Sequence, residues 1–100
     1  MDAFQALADP TRRHIVETLA AGEQAFGDLA ERFEMSRPAV SQHLKVLKAA
    51  GIVVSRADAQ RRIYSLKAGA LDDLDAWLER VRNYWNPRLD ELERALAADD

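Results

Sequence analysis

The sequence predicts a mainly α-helical domain with one small β-hairpin, in the order α-α-α-α-β-β-α. Apolar residues recur at helical spacing in short stretches up to residue 50, and again without interruption after residue 70. Between these regions, β-branched residues, a polar tip and a second apolar run form the pattern of two strands joined by a turn. The chain contains no internal repeat, low-complexity block or Gly/Ser linker, so we expect residues 1–100 to form a single domain.

The composition excludes several classes of protein. Hydrophobic residues make up 48% and charged residues 31%, which suits a small globular domain. The absence of cysteine excludes disulfides, thiolate catalysis and thiolate metal ligation. No run of about 18 apolar residues is present to span a membrane, and the start MDAFQALADP lacks the pattern of a signal peptide. We therefore expect a cytoplasmic protein with no membrane partner.

The first two helices are marked by residues at their ends. A short first helix carries Phe4 and Leu7. In ADPTRRHIVETLAAG (8–22), Asp9 can cap the free amides, Pro10 suits the first helical position, and Gly22 suits the exit. The inward face of this second helix consists of Ile15, Val16 and Leu19.

The next two helices are separated by a brief turn at Glu34 and Met35. FGDLAERF (26–33) has apolar residues at helical spacing, but it is too short to be stable without packing against neighbours. Ser36 is a good N-cap for the following helix, and Gly51 marks its end. The apolar stripe of that helix, which leaves its polar residues facing outward, consists of Val40, Leu44 and Leu47.

A β-hairpin follows in IVVSRADAQRRIYSL (52–66), where β-branched residues flank a polar tip. The tip ADAQR contains no glycine, so we expect a loop longer than a two-residue turn with positive φ. From Leu71 onward, apolar residues advance 25 positions in seven steps, which is close to the helical period. Because Pro87 removes one internal hydrogen bond, we expect one long helix with a kink, or two nearly collinear helices broken at Asn86.

A short helix, a tight turn and a second helix with an outward polar face form the helix-turn-helix pattern, and an adjacent basic hairpin makes it a winged helix. The charge distribution fits this interpretation, although the net charge is only −3. Residues 32–67 carry eight bases and two acids, a net charge of +6, whereas the remainder carries six bases and fifteen acids. The middle segment therefore suits a polyanion, although a solvated basic surface is the alternative.

Three stretches resemble the ArsR/SmtB family of bacterial winged-helix repressors. They are LADPTRRHIVETL (7–19), FGDLAERFEMSRPAVSQHLKVLKAAGIV (26–53) and RRIYSL (61–66), which together span the first two thirds of the chain. The C-terminal YWNPRLDELERAL (84–96) further resembles the metal-independent, SdpR-like branch. The resemblance implies a DNA-binding transcriptional regulator, most simply a repressor that binds a palindromic operator as a homodimer.

The metal sites of this family do not carry over to the chain. Where its metal sensors have a cysteine before the third helix, this sequence has Ala25, with Gly27 two residues on. Other members use Asp and His on the last helix, yet residues 69–100 contain no histidine. His14 is interpreted as a partly buried helix residue, and His43 as either a packing residue or a DNA contact. We expect no metal and no cofactor.

The DNA contacts are expected on the fourth helix and on the wing. Gln42 offers a donor and acceptor pair suited to adenine, and Arg37 suits guanine or phosphate. One wing arginine could enter a minor groove while the other binds phosphate, or both could be solvated strand charges. The full set of candidates is Ser36, Arg37, Ser41, Gln42, His43, Lys45, Arg61 and Arg62.

The terminal helices are the candidate dimer interface, because 100 residues offer little core for an apolar stripe seven turns long. The alternative is that these residues form core within one chain. The candidates are Phe4, Leu7, Leu71, Leu74, Trp77, Leu78, Val81, Trp85 and Leu89.

Two other functions are alternatives. One is a winged helix that binds only proteins, against which the positive middle segment argues. The other is an enzyme, for which no nucleophile with a base, phosphate-binding loop or carboxylate pair is present. Ser41 and His43, for example, lie two positions apart on a helix and do not face each other.

Overall fold

The computed structural model describes residues 1–98 and contains five helices and three strands within them. The helices are α1 Ala3–Ala6, α2 Pro10–Ala20, α3 Phe26–Glu31, α4 Arg37–Ala49 and α5 Asp72–Ala98, and the strands are β1 Gln24–Ala25, β2 Val53–Asp58 and β3 Arg61–Leu66. The predicted fold class, a mainly helical winged helix-turn-helix, is confirmed.

The helix ends form where the capping residues predict them. The Asp9 carboxylate accepts a hydrogen bond from the backbone N–H of Arg12 at 3.0 Å, and Pro10 occupies the first turn of α2. This hydrogen bond, which favours the charged carboxylate, holds the pKa of Asp9 below its usual value of 3.8. At the far end of α4, Gly51 has a φ of +78°, the left-handed conformation that ends a helix most easily at glycine.

The core lies where α2, α3 and α4 meet the sheet. The apolar faces that helical spacing predicts for α2 and α4 are both buried. Ile52 and Val53 extend the core to the start of the wing. The largest side chains with almost no exposed surface are Ile15, Leu29, Val40, Leu44, Leu47, Ile52 and Val53.

The sheet has three antiparallel strands in the order β1-β3-β2, one more than the sequence predicts. β1 is two residues long and pairs Gln24 with Tyr64 and Ala25 with Ile63. A strand of two residues has no alternation that could be detected in a sequence. It joins the wing to the segment that leads directly into α3, and so fixes the hairpin beside the helix-turn-helix.

The expected long loop at the hairpin tip is wrong. Asp58 pairs with Arg61, which leaves only Ala59 and Gln60 in the turn. Ala59 has a φ of +56°, a conformation that is improbable from the sequence alone because the tip contains no glycine. This conformation costs an L-residue about 1 to 2 kcal/mol. Pairing of the six-residue strands on both sides, which continues up to the turn, offsets this cost.

Helix α5 runs through Pro87 as one helix, so of the two expectations the single helix is confirmed and the break at Asn86 is wrong. The helix extends well beyond the core. The molecule measures 69 × 26 × 23 Å, and its radius of gyration is 19.2 Å, against about 13 Å for a compact domain of this length. None of the helices in residues 1–98 combines the length and low polarity needed to cross a bilayer.

Candidate nucleic-acid interface

The polar face of α4 is presented to solvent because the opposite face is fixed in the core. The buried residues are Val40, Leu44 and Leu47. Because the helix is rigid, the polar residues between them in sequence are held on its solvent-facing side. Residues Ser36, Arg37, Ser41, Gln42 and Lys45 are all exposed.

A groove runs between this face of α4 and the wing. At one end it opens into a cavity of about 530 Å³ that includes the start of α3, Arg37 and the wing residues Gln60 and Arg61. At the other end a cavity of about 260 Å³ includes Lys45. The two cavities adjoin each other, because both are lined by Ser41, Arg62 and Tyr64.

The structure brings most of the predicted contact residues to one surface, and three of them differ from the rest in position or in their partners within the chain. Gln42 is exposed but lines neither cavity, so it lies outside the groove. The Ser36 hydroxyl accepts a hydrogen bond from the Ala39 N–H at 3.2 Å, which makes it the N-cap of α4. His43 is half-buried, and its Nδ1 lies 3.4 Å from Nη1 of Arg12.

That contact favours the packing interpretation of His43 over a DNA contact. Arg12 also donates from Nε to the carbonyl of Ala6 at 2.6 Å, so its guanidinium connects α1, α2 and α4. The histidine therefore lies at an internal junction of helices. The other histidine, His14, was expected to be partly buried and is instead exposed, with its ring 5.0 Å from that of Phe33.

Both wing arginines are exposed and have partners within the chain. Arg61 Nη2 lies 3.3 Å from Oδ2 of Asp28, in the first turn of α3. Arg62 donates from Nη1 to the hydroxyl of Ser55 at 3.2 Å, and Lys48 donates to the same hydroxyl at 3.0 Å. These hydrogen bonds hold positive side chains on both sides of the groove.

A second ion pair holds the base of the wing. The two terminal guanidinium nitrogens of Arg56, Nη1 and Nη2, donate to the Glu23 carboxylate at 2.7 and 2.9 Å. These hydrogen bonds lower the pKa of Glu23 and raise the pKa of Arg56 above its ordinary value. Because Glu23 directly precedes β1, this pair and the β1–β3 pairing act at the same place to fix the orientation of the hairpin.

The residues of the groove that were missed from the sequence include Lys48, Tyr64 and Asp28. Lys48 lies seven positions after Ser41 and three positions after Lys45. Helical spacing therefore could have placed it on the same face of α4. Tyr64, whose ring centroid lies 6.4 Å from that of Phe26, was recognised as part of a motif but given no role. Asp28 could not have been found, because its neighbour Arg61 is 33 positions away.

The predicted dimer residues form an apolar surface that one chain leaves largely uncovered. The ring centroids of Phe4 and Trp77 lie 5.8 Å apart, so α1 and α5 meet at this surface. Leu7, Leu74 and Val81 are half-buried. The exposed members, with between 37% and 54% of their surface accessible, are Phe4, Leu71, Trp77, Leu78, Trp85 and Leu89.

The place of the family's metal ligands is occupied by other residues. Ala25 is buried at the end of β1, and the sequence of α5 contains carboxylates but no histidine. Within residues 1–98, no cluster of three or more His, Asp or Glu residues has a geometry suited to a metal ion.

Comparison with known proteins agrees with this geometry. Residues 9–55 match the family model described as "Bacterial regulatory protein, arsR family", which spans α2 to the start of the wing. The chain is 52% identical over 87 residues to the HTH-type transcriptional regulator Rv2034 of Mycobacterium tuberculosis, covering 87% of this chain and 78% of that protein. It is 39% identical over 77 residues to the transcriptional repressor SdpR of Bacillus subtilis, covering 77% and 86%.

Solved structures give the same result. A crystal structure described as a possible transcriptional regulator for arsenical resistance is 41% identical, with a TM-score of 0.75, covering 100% of this chain and 97% of that one. The relatives are transcriptional regulators, which agrees with the prediction that the chain is not an enzyme and disagrees with a winged helix that binds only proteins. The chain belongs to the arsR family of bacterial regulatory proteins, and it is a DNA-binding transcriptional regulator with a winged helix-turn-helix fold.

Proposed function

We propose that this protein is a repressor that binds a palindromic operator as a homodimer and requires no metal. The observation that carries the proposal is the groove of two adjoining cavities between α4 and the wing, which has basic side chains on both sides. α4 lies with Gln42 outward, where it can enter a major groove, while the wing arginines can reach the adjacent backbone or minor groove. The name of the SdpR relative supports repression as the outcome.

The terminal helices support a homodimer. Trp77 is 45% exposed, Trp85 54% and Leu92 55%, which is unusual for large apolar side chains aligned on one helix face. A second copy of the same surface would cover them, and a two-fold dimer would then present two α4 helices to two half-sites. An operator with two-fold symmetry follows from that arrangement.

The proposal that no metal is needed rests on the residues at the family's metal positions. Ala25 has no ligand atom in its side chain, and residues 69–100 contain no histidine. Addition of one equivalent of Zn²⁺ to the purified protein should leave the affinity for the operator unchanged. A tenfold change in affinity, about 1.4 kcal/mol, would contradict metal independence but not DNA binding.

The experiment that tests the function is selection of bound fragments from the source genome with purified protein. We expect the recovered fragments to share a motif with two-fold symmetry whose half-sites are about 10 base pairs apart or a multiple of this spacing. Fragments recovered in proportion to their abundance, with no shared motif, would contradict a sequence-specific regulator. Fragments with a single unrepeated motif would contradict the palindromic operator alone.

A further inference from the structure

Within residues 1–98, Asp28 is the one acidic side chain that lines the larger cavity of the groove. The same cavity is lined by Arg37, Arg61 and Arg62, so three positive charges surround one negative charge. The guanidinium of Arg37 also lies beside α3, 4.0 Å from where a β-carbon on Gly27 would be. A surface that binds phosphates gains nothing from a carboxylate among its lining residues, so Asp28 must affect DNA binding in another way.

The geometry points to competition between Asp28 and a DNA phosphate for Arg61. We propose that Asp28 holds the Arg61 guanidinium in the free protein and that a backbone phosphate displaces the carboxylate when DNA enters the groove. The pair suits such an exchange, because its single contact of 3.3 Å is longer than the two contacts of Arg56 with Glu23, at 2.7 and 2.9 Å. Both side chains are also accessible, with 61% and 64% of their surfaces exposed.

The exchange makes Asp28 a residue that weakens sequence-independent binding. DNA must break the Arg61–Asp28 pair and then leave the carboxylate unpaired beside its own phosphate. Once it has lost Arg61, the carboxylate takes up a cation from solution. This uptake offsets one of the cations that the DNA releases on binding, so log K falls less steeply with log salt. Gln42 lines neither cavity of the groove, so the exchange leaves it in place and the reading of bases is preserved.

The inference rests on the proposed DNA-binding function and is tested by Asp28→Asn on the full chain, with a random-sequence duplex at several salt concentrations. We expect the variant to bind about threefold to fivefold more tightly per protomer, the size of an exposed ion pair. The slope of log K against log salt should steepen by up to about 0.9 per protomer. Asp28→Ser serves as a second variant if Asn disturbs the first turn of α3.

Glu17→Gln is the matched control, because it makes the same change in charge at an exposed position of α2. Glu17 lines neither cavity of the groove, so this variant should leave the salt slope unchanged. Equal effects of Asp28→Asn and Glu17→Gln would overturn the inference, because net charge alone would then explain the change. If the unaltered protein binds no duplex at all, the proposed function itself fails.

A double-mutant cycle tests whether Asp28 acts through Arg61. In a chain that already carries Arg61→Ala, the substitution Asp28→Asn should have no more effect than Glu17→Gln. If it still tightens binding by the full threefold to fivefold, Asp28 repels phosphate directly, and the proposed exchange of partners is wrong.

Discussion

The side chains that should read DNA bases differ from those that hold the fold, and Gln42 is the clearest example. It is exposed on α4, lies outside the groove and makes no contact that the core or the caps depend on. Its amide can donate and accept at the same time, which is the pattern that adenine presents in the major groove. A truncation at this position should therefore affect DNA reading without affecting stability.

Gln42→Ala should weaken operator binding by about 1 to 3 kcal/mol per half-site. Binding to a random duplex, which depends on charge, should be nearly unchanged. Titration of both duplexes at one salt concentration measures the two effects separately. Gln60→Ala at the wing tip is the matched control and should keep the full preference for the operator. A Gln42→Ala protein that keeps that preference would show that Gln42 does not read bases.

Ala59 allows a test of the hairpin turn at the scale of one residue. Its φ of +56° is strained for alanine but not for glycine. Ala59→Gly should raise the free energy of unfolding by about 0.5 to 1 kcal/mol, because relief of the strain exceeds the added entropy of the unfolded chain. Urea denaturation of the variant measures the change.

The control for that substitution is Ala57→Gly, at an exposed and paired position of β2. It should lower the free energy of unfolding by about 0.5 to 1 kcal/mol, since glycine in a strand loses more entropy on folding. Destabilisation by Ala59→Gly as well would mean that residue 59 does not adopt a positive φ in solution.

At the scale of elements, how well each could be predicted depends on its length and on the range of its contacts. α2 and α4 have caps, an apolar stripe and an exit residue, all within one stretch of sequence, and both stripes are buried as expected. β1 could not be predicted, because a two-residue strand is defined by its partner β3, about 40 positions later. The tight hairpin turn was missed because strand pairing outweighs the local preference of Ala59.

The candidate site follows the same rule. The exposed residues of α4 were found because helical spacing separates them from a buried stripe. Asp28 was missed as a member of the groove, and so was the hydroxyl of Ser55, shared by Lys48 and Arg62. These arrangements arise from contacts between elements distant in sequence, and no local pattern records them.

Substitutions in the wing and in α4 should have different effects on DNA binding, because we expect the wing mainly to supply charge. Arg61→Ala combined with Arg62→Ala should weaken binding to operator and random DNA together. It should also flatten the dependence of log K on log salt, by about 0.9 for each phosphate that the wing no longer neutralises. Arg80→Ala with Arg94→Ala, on α5, makes the same change in charge away from the groove. If the wing variant keeps the salt slope of the unaltered protein, the wing does not bind phosphates.

At the scale of the whole molecule, α5 carries most of the surface that we propose as the dimer interface. Its apolar stripe continues past the core and leaves large side chains exposed in one chain. Trp85→Glu combined with Leu89→Glu should convert the protein to a folded monomer, because unpaired carboxylates are costly to bury in an interface. Sedimentation at tens of micromolar measures the mass, and circular dichroism reports whether the chain is folded.

Ala76→Glu with Asn83→Glu adds the same charge on the opposite side of α5 and should leave the dimer intact. A monomeric unaltered protein at these concentrations would contradict a stable free dimer. A dimeric Trp85→Glu, Leu89→Glu protein would mean that the interface lies elsewhere on the molecule.

The central claim is that two copies of α4 read one two-fold operator, and a single titration tests it most directly. A selected operator and a scrambled duplex of equal length are each titrated with the protein. Duplex concentrations above the dissociation constant give the stoichiometry, and duplex concentrations well below it give the affinity. We predict saturation at two chains per operator and an affinity at least about 10³-fold higher than for the scrambled duplex at physiological salt. Equal affinity for the two duplexes, or saturation at one chain per operator, would contradict the claim.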